Sequence, residues 1–241
     1  MIKKVTDNIN LSGVSSPLLP LIYCDFVYNS GDSDGVYYLY DNNDEPAAVF
    51  SVKNCCATFV KIKEADYSEL SMFFDFYGVA EVLSDYPFDE SFRSIPLLEA
   101  ESRMVGYTTV ERLSESSKMS EYLGVFNLLN DTDGDFARWY SVFSKKINSS
   151  VSCGVYKLFE NTVVSTATAT AIYENTAVIS GVFTDPSQRG RGYASECVNA
   201  VIDELFKMNV RRIFLWCDAD KVPFYEKLGF SSNGEIYIRR V

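Results

Sequence analysis

The strongest periodicity lies in the second half of the chain. Apolar and β-branched residues dominate Val155–Phe159, Val163–Tyr173 and Thr176–Phe183, which predicts three strands in succession. Glu160-Asn161 and Glu174-Asn175 separate them, and Asn tolerates the positive φ that a tight hairpin demands. Before these strands, Met104–Leu113 reads as a strand and Ser120–Leu129 as a short helix. Asp131-Thr-Asp-Gly-Asp135 offers cap chemistry for a second helix, whose Phe136, Trp139, Tyr140, Phe143 and Ile147 fall on one face. After the strands, Ala194, Val198, Val201 and Leu205 recur at i, i+4, i+7 and i+11 and predict an amphipathic helix. A strand over Arg211–Cys217, a short helix over Val222–Leu228 and a closing strand over Ile236–Val241 complete the set. The pattern is that of an α+β chain built on a mixed sheet.

The first hundred residues follow a shorter version of that order. Val36–Tyr40, Ala47–Val52 and Cys56–Ile62 read as strands, Tyr67–Tyr77 as a helix and Ala80–Leu83 as a further strand. The joint between the third strand and the helix is Lys61-Ile-Lys-Glu-Ala-Asp-Tyr-Ser68, which contains no glycine.

Length and composition narrow the chemistry. A chain of 241 residues holds one large domain or two modest ones. Its longest apolar stretch, Pro17–Tyr28, is too short for a bilayer span and carries Asp25, and the start of the chain lacks a signal-peptide core, so a cytoplasmic protein is expected. The six cysteines form no C-x-x-C pair and read as reduced thiols. Histidine is absent, which removes the usual zinc sets and every His-based triad, and no metal is expected. Net charge is −11 and concentrated early: residues 1–100 carry 6 Lys/Arg against 16 Asp/Glu. That balance argues against nucleic-acid binding and suits either a solubilising surface or attraction of a cationic acceptor.

The most informative stretch is Val182-Phe-Thr-Asp-Pro-Ser-Gln-Arg-Gly-Arg-Gly-Tyr-Ala194, where a strand runs through a glycine-rich loop into a helix. Gly190 and Gly192 let backbone approach a ligand without a Cβ in the way. The N–H groups at the helix start, aided by its dipole, suit a phosphate or pyrophosphate, and Arg189 and Arg191 add attraction for an anion. The spacing is neither a P-loop nor a dinucleotide fingerprint, since no Lys-Ser or Lys-Thr follows and Ser195 occupies the third glycine position.

Arg189, Gly192 and Ala194 satisfy [QR]-x-x-G-x-[GA], and about thirty residues later stands Phe224-Tyr-Glu-Lys-Leu-Gly-Phe230. In these two blocks, in this order, the chain resembles the GNAT (GCN5-related N-acetyltransferase) superfamily over residues 104–241. The resemblance implies the GNAT acyl-CoA N-acyltransferase fold, acetyl-CoA as cosubstrate and a primary amine of a small molecule or peptide as acceptor. It implies that Val182, Phe183 and Thr184 pair with the pantetheine arm and that the amides of Arg189, Gly190, Arg191, Gly192, Tyr193, Ala194 and Ser195 hold the pyrophosphate. Tyr225 matches the family's general acid, and a phenol with an ordinary pKa near 10 is protonated at neutral pH. Aromatic packing beside Phe224 and Phe230 is its alternative role.

The general base is open. Family members often carry a Glu on the strand before the loop, and Thr176–Phe183 has no carboxylate. Asp218 stands where many relatives carry Asn and joins the coenzyme set on that ground, with a helix cap as its alternative. Asn130–Asp135 joins the two helices that shape the acceptor pocket in the superfamily. Residues 1–103 are expected to form a degenerate GNAT-like half or an unrelated cap. A monomer or homodimer is expected, acting as an N-acetyltransferase or as a catalytically inactive CoA-binding regulatory module.

Overall fold

The computed structural model describes residues 1–28, 34–106, 108–129 and 135–240. It divides into two compact units. The first comprises Met1–Leu98, Trp216–Val222 and Ser232–Val241, and the second Glu99–Leu215 and Pro223–Ser231.

In the first unit, β1 (Ile2–Lys4), β2 (Gly35–Tyr40), β3 (Pro46–Lys53), β4 (Cys56–Lys61), β5 (Glu81–Ser84) and the C-terminal β12 (Ser231–Arg240) lie side by side in that order. β4 and β5 are parallel and joined by helix α2 (Ser68–Phe76), whereas β12 runs antiparallel to β5. Leu70 and Phe74 of α2 pack into an aromatic core with Tyr37, Phe50 and Phe59. Helix α1 (Leu19–Val27) covers β2 and β3. It occupies the apolar stretch set aside above as too short for a bilayer, and among the described residues no helix is long and apolar enough to cross a membrane.

β6 (Arg93–Glu101) leads from the first unit into the second. There β7 (Glu111–Arg112), β8 (Cys153–Phe159), β9 (Thr162–Tyr173), β10 (Thr176–Thr184) and β11 (Arg212–Trp216) follow one another across the sheet. The hairpins are antiparallel. Glu160 and Asn161 both take positive φ, while in the second turn Glu174 takes it. Helix α5 (Tyr193–Lys207) crosses between the parallel strands β10 and β11 and buries Val198, Val201 and Leu205, with Ala194 half-buried. Helices α3 (Met119–Leu129) and α4 (Phe136–Asn148) share a core of Tyr122, Val125 and Phe143, against which Trp139 and Tyr140 pack. Asp135 caps α4 by accepting from the Arg138 amide at 3.0 Å. The mixed sheet with its split helices is the GNAT layout expected from the sequence.

Two element readings require correction. The strand expected over Met104–Leu113 is reduced to Glu111–Arg112, because Gly106 sits at φ +92° and the Val105 amide donates to Asp203 instead of to a neighbouring strand. The long strand lies earlier, at Arg93–Glu101, where Pro96 conceals it from a propensity reading.

Candidate active site

The site begins where β10 loses a neighbour. Thr176–Val178 pair with Arg212–Phe214 of β11, and beyond Val178 that ladder ends while β10 runs on to Thr184. On its other edge β10 stays with β9 through Phe183↔Thr166 and Thr184↔Ser165, after register breaks at Val178/Ile179 and Ser180/Phe183. The second break requires Gly181: φ is +60°, and a Cβ there would lie 2.8 Å from Thr168 Oγ1 and 3.2 Å from Leu129 Cδ2. Hydroxyls of β9 secure the bulged strand from behind. Thr168 donates to the Ser180 carbonyl at 2.9 Å, and Ser165 donates to that of Phe183 at 3.0 Å. Ser165 also lies 2.7 Å from the Thr184 hydroxyl. Val182, Phe183 and Thr184 therefore stand at a strand end with the β11-facing edge released from the ladder.

The loop that follows is held open. Asp185 caps a 3-10 turn (Pro186–Gln188) by accepting from the Ser187 amide and hydroxyl at 2.8 and 2.6 Å, and these bonds hold its carboxyl below the usual range. Arg189 Nε donates to the Thr184 carbonyl at 3.2 Å, and its guanidinium lies 5.7 Å from the centre of the Phe183 ring. Arg191 lies 5.3 Å from the Phe159 ring. Gly190 and Gly192 take φ of +78° and +83°, and a Cβ on either would meet no other heavy atom within 4 Å. The first bond of α5 runs from the Glu196 amide to the Gly192 carbonyl at 3.0 Å. By helix geometry, the amides of Tyr193, Ala194 and Ser195 ahead of it have no intrahelical acceptor. Beside the loop, Gln188 Oε1 is buried without a partner. An anionic, hydrogen-bonding ligand fits such a cradle: open room above the glycines, unclaimed donors, two arginines and a helix N-terminus.

One lysine near this helix end is already engaged. Lys157 Nζ pairs with Glu196 at 2.7 Å and sits 5.3 Å from the centre of the Tyr193 ring. Burial pushes the Glu196 carboxyl up, but its bonds from Lys157 and Thr109 outweigh that and hold it below the ordinary value.

Tyr225 lies on α6 (Val222–Glu226) and is 8% exposed. Its ring meets Phe224 at 4.9 Å and Phe230 at 5.8 Å, both edge-on, so the packing contacts anticipated from the sequence are present. Its carbonyl accepts from the Leu228 and Phe230 amides at 2.9 and 3.2 Å. Asp218 precedes the 3-10 turn Ala219–Lys221 in the first unit and makes no cap bond. It pairs with Lys221 at 2.6 Å, which holds the exposed carboxyl below its usual value. A carboxylate so stabilised is a weaker proton acceptor. Asp131 and Asp133 of the acidic loop lie outside the described residues.

Sequence reasoning missed Gly181 and the hydroxyls behind it. The alternation Ser165-Thr-Ala-Thr-Ala-Thr170 was the available signal, since small polar residues on a buried strand need backbone partners.

Residues 117–230 match the Acetyltransferase (GNAT) family model. The chain is 30% identical over 76 residues to GCN5-related N-acetyltransferase 2 of Arabidopsis thaliana, a stretch covering 32% of this chain and 30% of that protein. A GCN5-related N-acetyltransferase from Sphaerobacter thermophilus shares the fold with a TM-score of 0.60 at 12% identity, covering 95% of this chain and 94% of its own. One from Kribbella flavida gives 0.57 at 16% identity over 80% and 85% of the two chains. The released strand end, the open glycine loop and the family match coincide on one stretch, and residues 117–230 form a domain of the GNAT acetyltransferase family.

Proposed function

We propose that the protein is an acetyl-CoA-dependent N-acetyltransferase whose acceptor is a primary amine of a small molecule or peptide. The supporting observation is the end of the β10–β11 ladder at Val178↔Phe214, directly upstream of the open cradle at Gly190 and Gly192. Backbone groups of Val182, Phe183 and Thr184 bind the pantetheine arm, and the amides of residues 189–195 bind the pyrophosphate. The coenzyme supplies an activated acetyl group, whose C–S bond breaks as a C–N bond to the amine forms. Tyr225 gives its hydroxyl proton to the departing sulfur and recovers one from the amine through water. Asp218, tied to Lys221, is unsuited to the base role, which falls to water. That same lack of a dedicated base favours a second reading, a CoA-binding regulatory module without turnover.

The first unit repeats the order of three antiparallel strands, a helix and a parallel strand, and we assign it as a degenerate GNAT-like half with no coenzyme. Its ladder between β4 and β5 runs through Phe59↔Ser84, and Asp85 then accepts from the Lys61 amide at 2.9 Å. At the start of α2, Asp66 accepts from the Ser68 amide at 2.9 Å, so one donor of that helix start already has a carboxylate partner.

The deciding experiment is thiol release from acetyl-CoA with a panel comprising ethanolamine, lysine amide, spermidine and a short peptide with a free N-terminus, followed by mass spectrometry. An acetylated amine, heavier by one acetyl group, is the expected product. Tight CoA binding with no product from any amine would leave the regulatory module standing instead.

A further inference from the structure

The acid proposed above rides on a helix too short to hold its own geometry, since a five-residue segment cannot sustain a helix by internal bonds alone. Its position must be imposed from outside. The ring packing on Phe224 and Phe230 supplies part of that, and three contacts of one side chain add to it. Arg103 Nη2 donates to the Leu228 carbonyl at 2.6 Å, at the end of the turn that carries Tyr225. The guanidinium covers Gly229, where φ is +89° and a Cβ would approach Nη1 to 3.2 Å. The same Nη2 lies 3.5 Å from Asn199 Oδ1 on α5, the helix whose first turn forms the glycine cradle.

Arg103 is itself anchored on both sides along the chain. The Ser102 amide donates to the Arg211 carbonyl at 3.1 Å, and the Val105 amide donates to Asp203 Oδ1, again on α5, at 3.1 Å. A charged donor on an otherwise unpaired C-terminal carbonyl is a strong way to fix a helix end. The geometry points to Arg103 as a positioning residue that holds the Tyr225 turn against α5, and so sets the acid relative to the bound coenzyme. This rests on the acid assignment for Tyr225.

The test compares R103M, R103K, Y225F and R103M/Y225F, using the panel amine with the fastest thiol release. Y225F should lower kcat about a hundredfold and leave acetyl-CoA affinity intact. R103M should lower kcat by about tenfold or more with unchanged acetyl-CoA affinity, since misplacing a catalytic group by about an ångström can cost up to about a hundredfold. Its melting temperature should fall yet leave the chain folded at the assay temperature. The double variant should be no slower than Y225F, within about twofold, since a displaced acid that is already absent costs nothing further. R103K, keeping one charged donor for Leu228, should recover most of the loss. If R103M fails to fold, R103Q takes its place with the same expectations. R103M turnover within twofold of the parent, or losses that multiply in the double variant, would overturn the role of Arg103. Full turnover by Y225F would instead remove the acid assignment itself.

Discussion

Replacing Gly192 by Val separates the fold from ligand binding. Gly192 is the residue before α5, at φ +83°, and a Cβ there meets no other heavy atom within 4 Å. The fold therefore bears only the backbone cost of a left-handed conformation, about 1–2 kcal/mol for a non-glycine residue. For a chain of this size that lowers the melting temperature by about 2–8 °C. The empty space is another matter, because it is the room through which a diphosphate would reach the amides of residues 193–195. A branched side chain fills it, and we expect acetyl-CoA affinity to fall at least tenfold, about 1.4 kcal/mol. Gly13→Val is the control: φ is +77° and a Cβ there also meets open space, but Gly13 lies in the first unit, in an unrelated turn. Both variants should lose similar melting temperature by circular dichroism, and only G192V should lose binding by calorimetry. Equal affinity for G192V and parent, with the melting shift present, would refute the cradle assignment.

Gly181→Ala should cost roughly 2–5 kcal/mol in chemical denaturation, adding left-handed strain to a Cβ 2.8 Å from Thr168 Oγ1; a loss below about 1 kcal/mol would mean that the bulge tolerates a side chain. Calorimetry should count one acetyl-CoA per chain, and a second equivalent would contradict the reading of the first unit. Burial raises the Asp85 carboxyl above its ordinary value against the opposing bonds from Ser16 and the Lys61 amide. The folded chain then holds this proton more tightly than the unfolded one, so the stability tied to it is complete below the unfolded value and is lost as pH rises through the folded one. Asp85→Asn should flatten that decline in a pH series of denaturation midpoints while its amide oxygen keeps the Lys61 bond; an unchanged slope would rule out Asp85 as its source.

The sequence made the site legible where chemistry and conformation coincide in single residues. Gly190 and Gly192 announced positive φ, and the structure places both in the left-handed region. The apolar spacing of Val198, Val201 and Leu205 announced the helix that carries the cradle. It was silent where geometry is imposed by tertiary partners. β6 escaped notice because Pro96 interrupts its pattern, yet the Pro96 carbonyl still accepts from the Cys217 amide at 3.3 Å and leaves the strand intact. Gly181 gave no motif, because its need for glycine comes from Thr168 and Leu129, far away in sequence. Nor could sequence position show that Lys221, three residues on, engages the charge of Asp218.

The two crossings from strand to parallel strand show what makes one of them a candidate binding site. Both halves present a strand, a loop and a helix start, with similar propensities along the way. At β4–β5 the ladder continues to Ser84, Asp85 accepts from the Lys61 amide, and Asp66 accepts from the Ser68 amide at the helix start. At β10–β11 pairing ends at Val178, a glycine bulge turns the strand, and Asp185 bonds within its own turn, leaving the helix amides unclaimed. Amides that face open room are held by water rather than by the protein, and a ligand that displaces that water can take the same bonds. The difference therefore lies in which polar groups the protein satisfies internally. A carboxylate accepting from a first-turn amide of α5, as Asp66 accepts from the Ser68 amide at α2, should compete with an anionic ligand for the same donors.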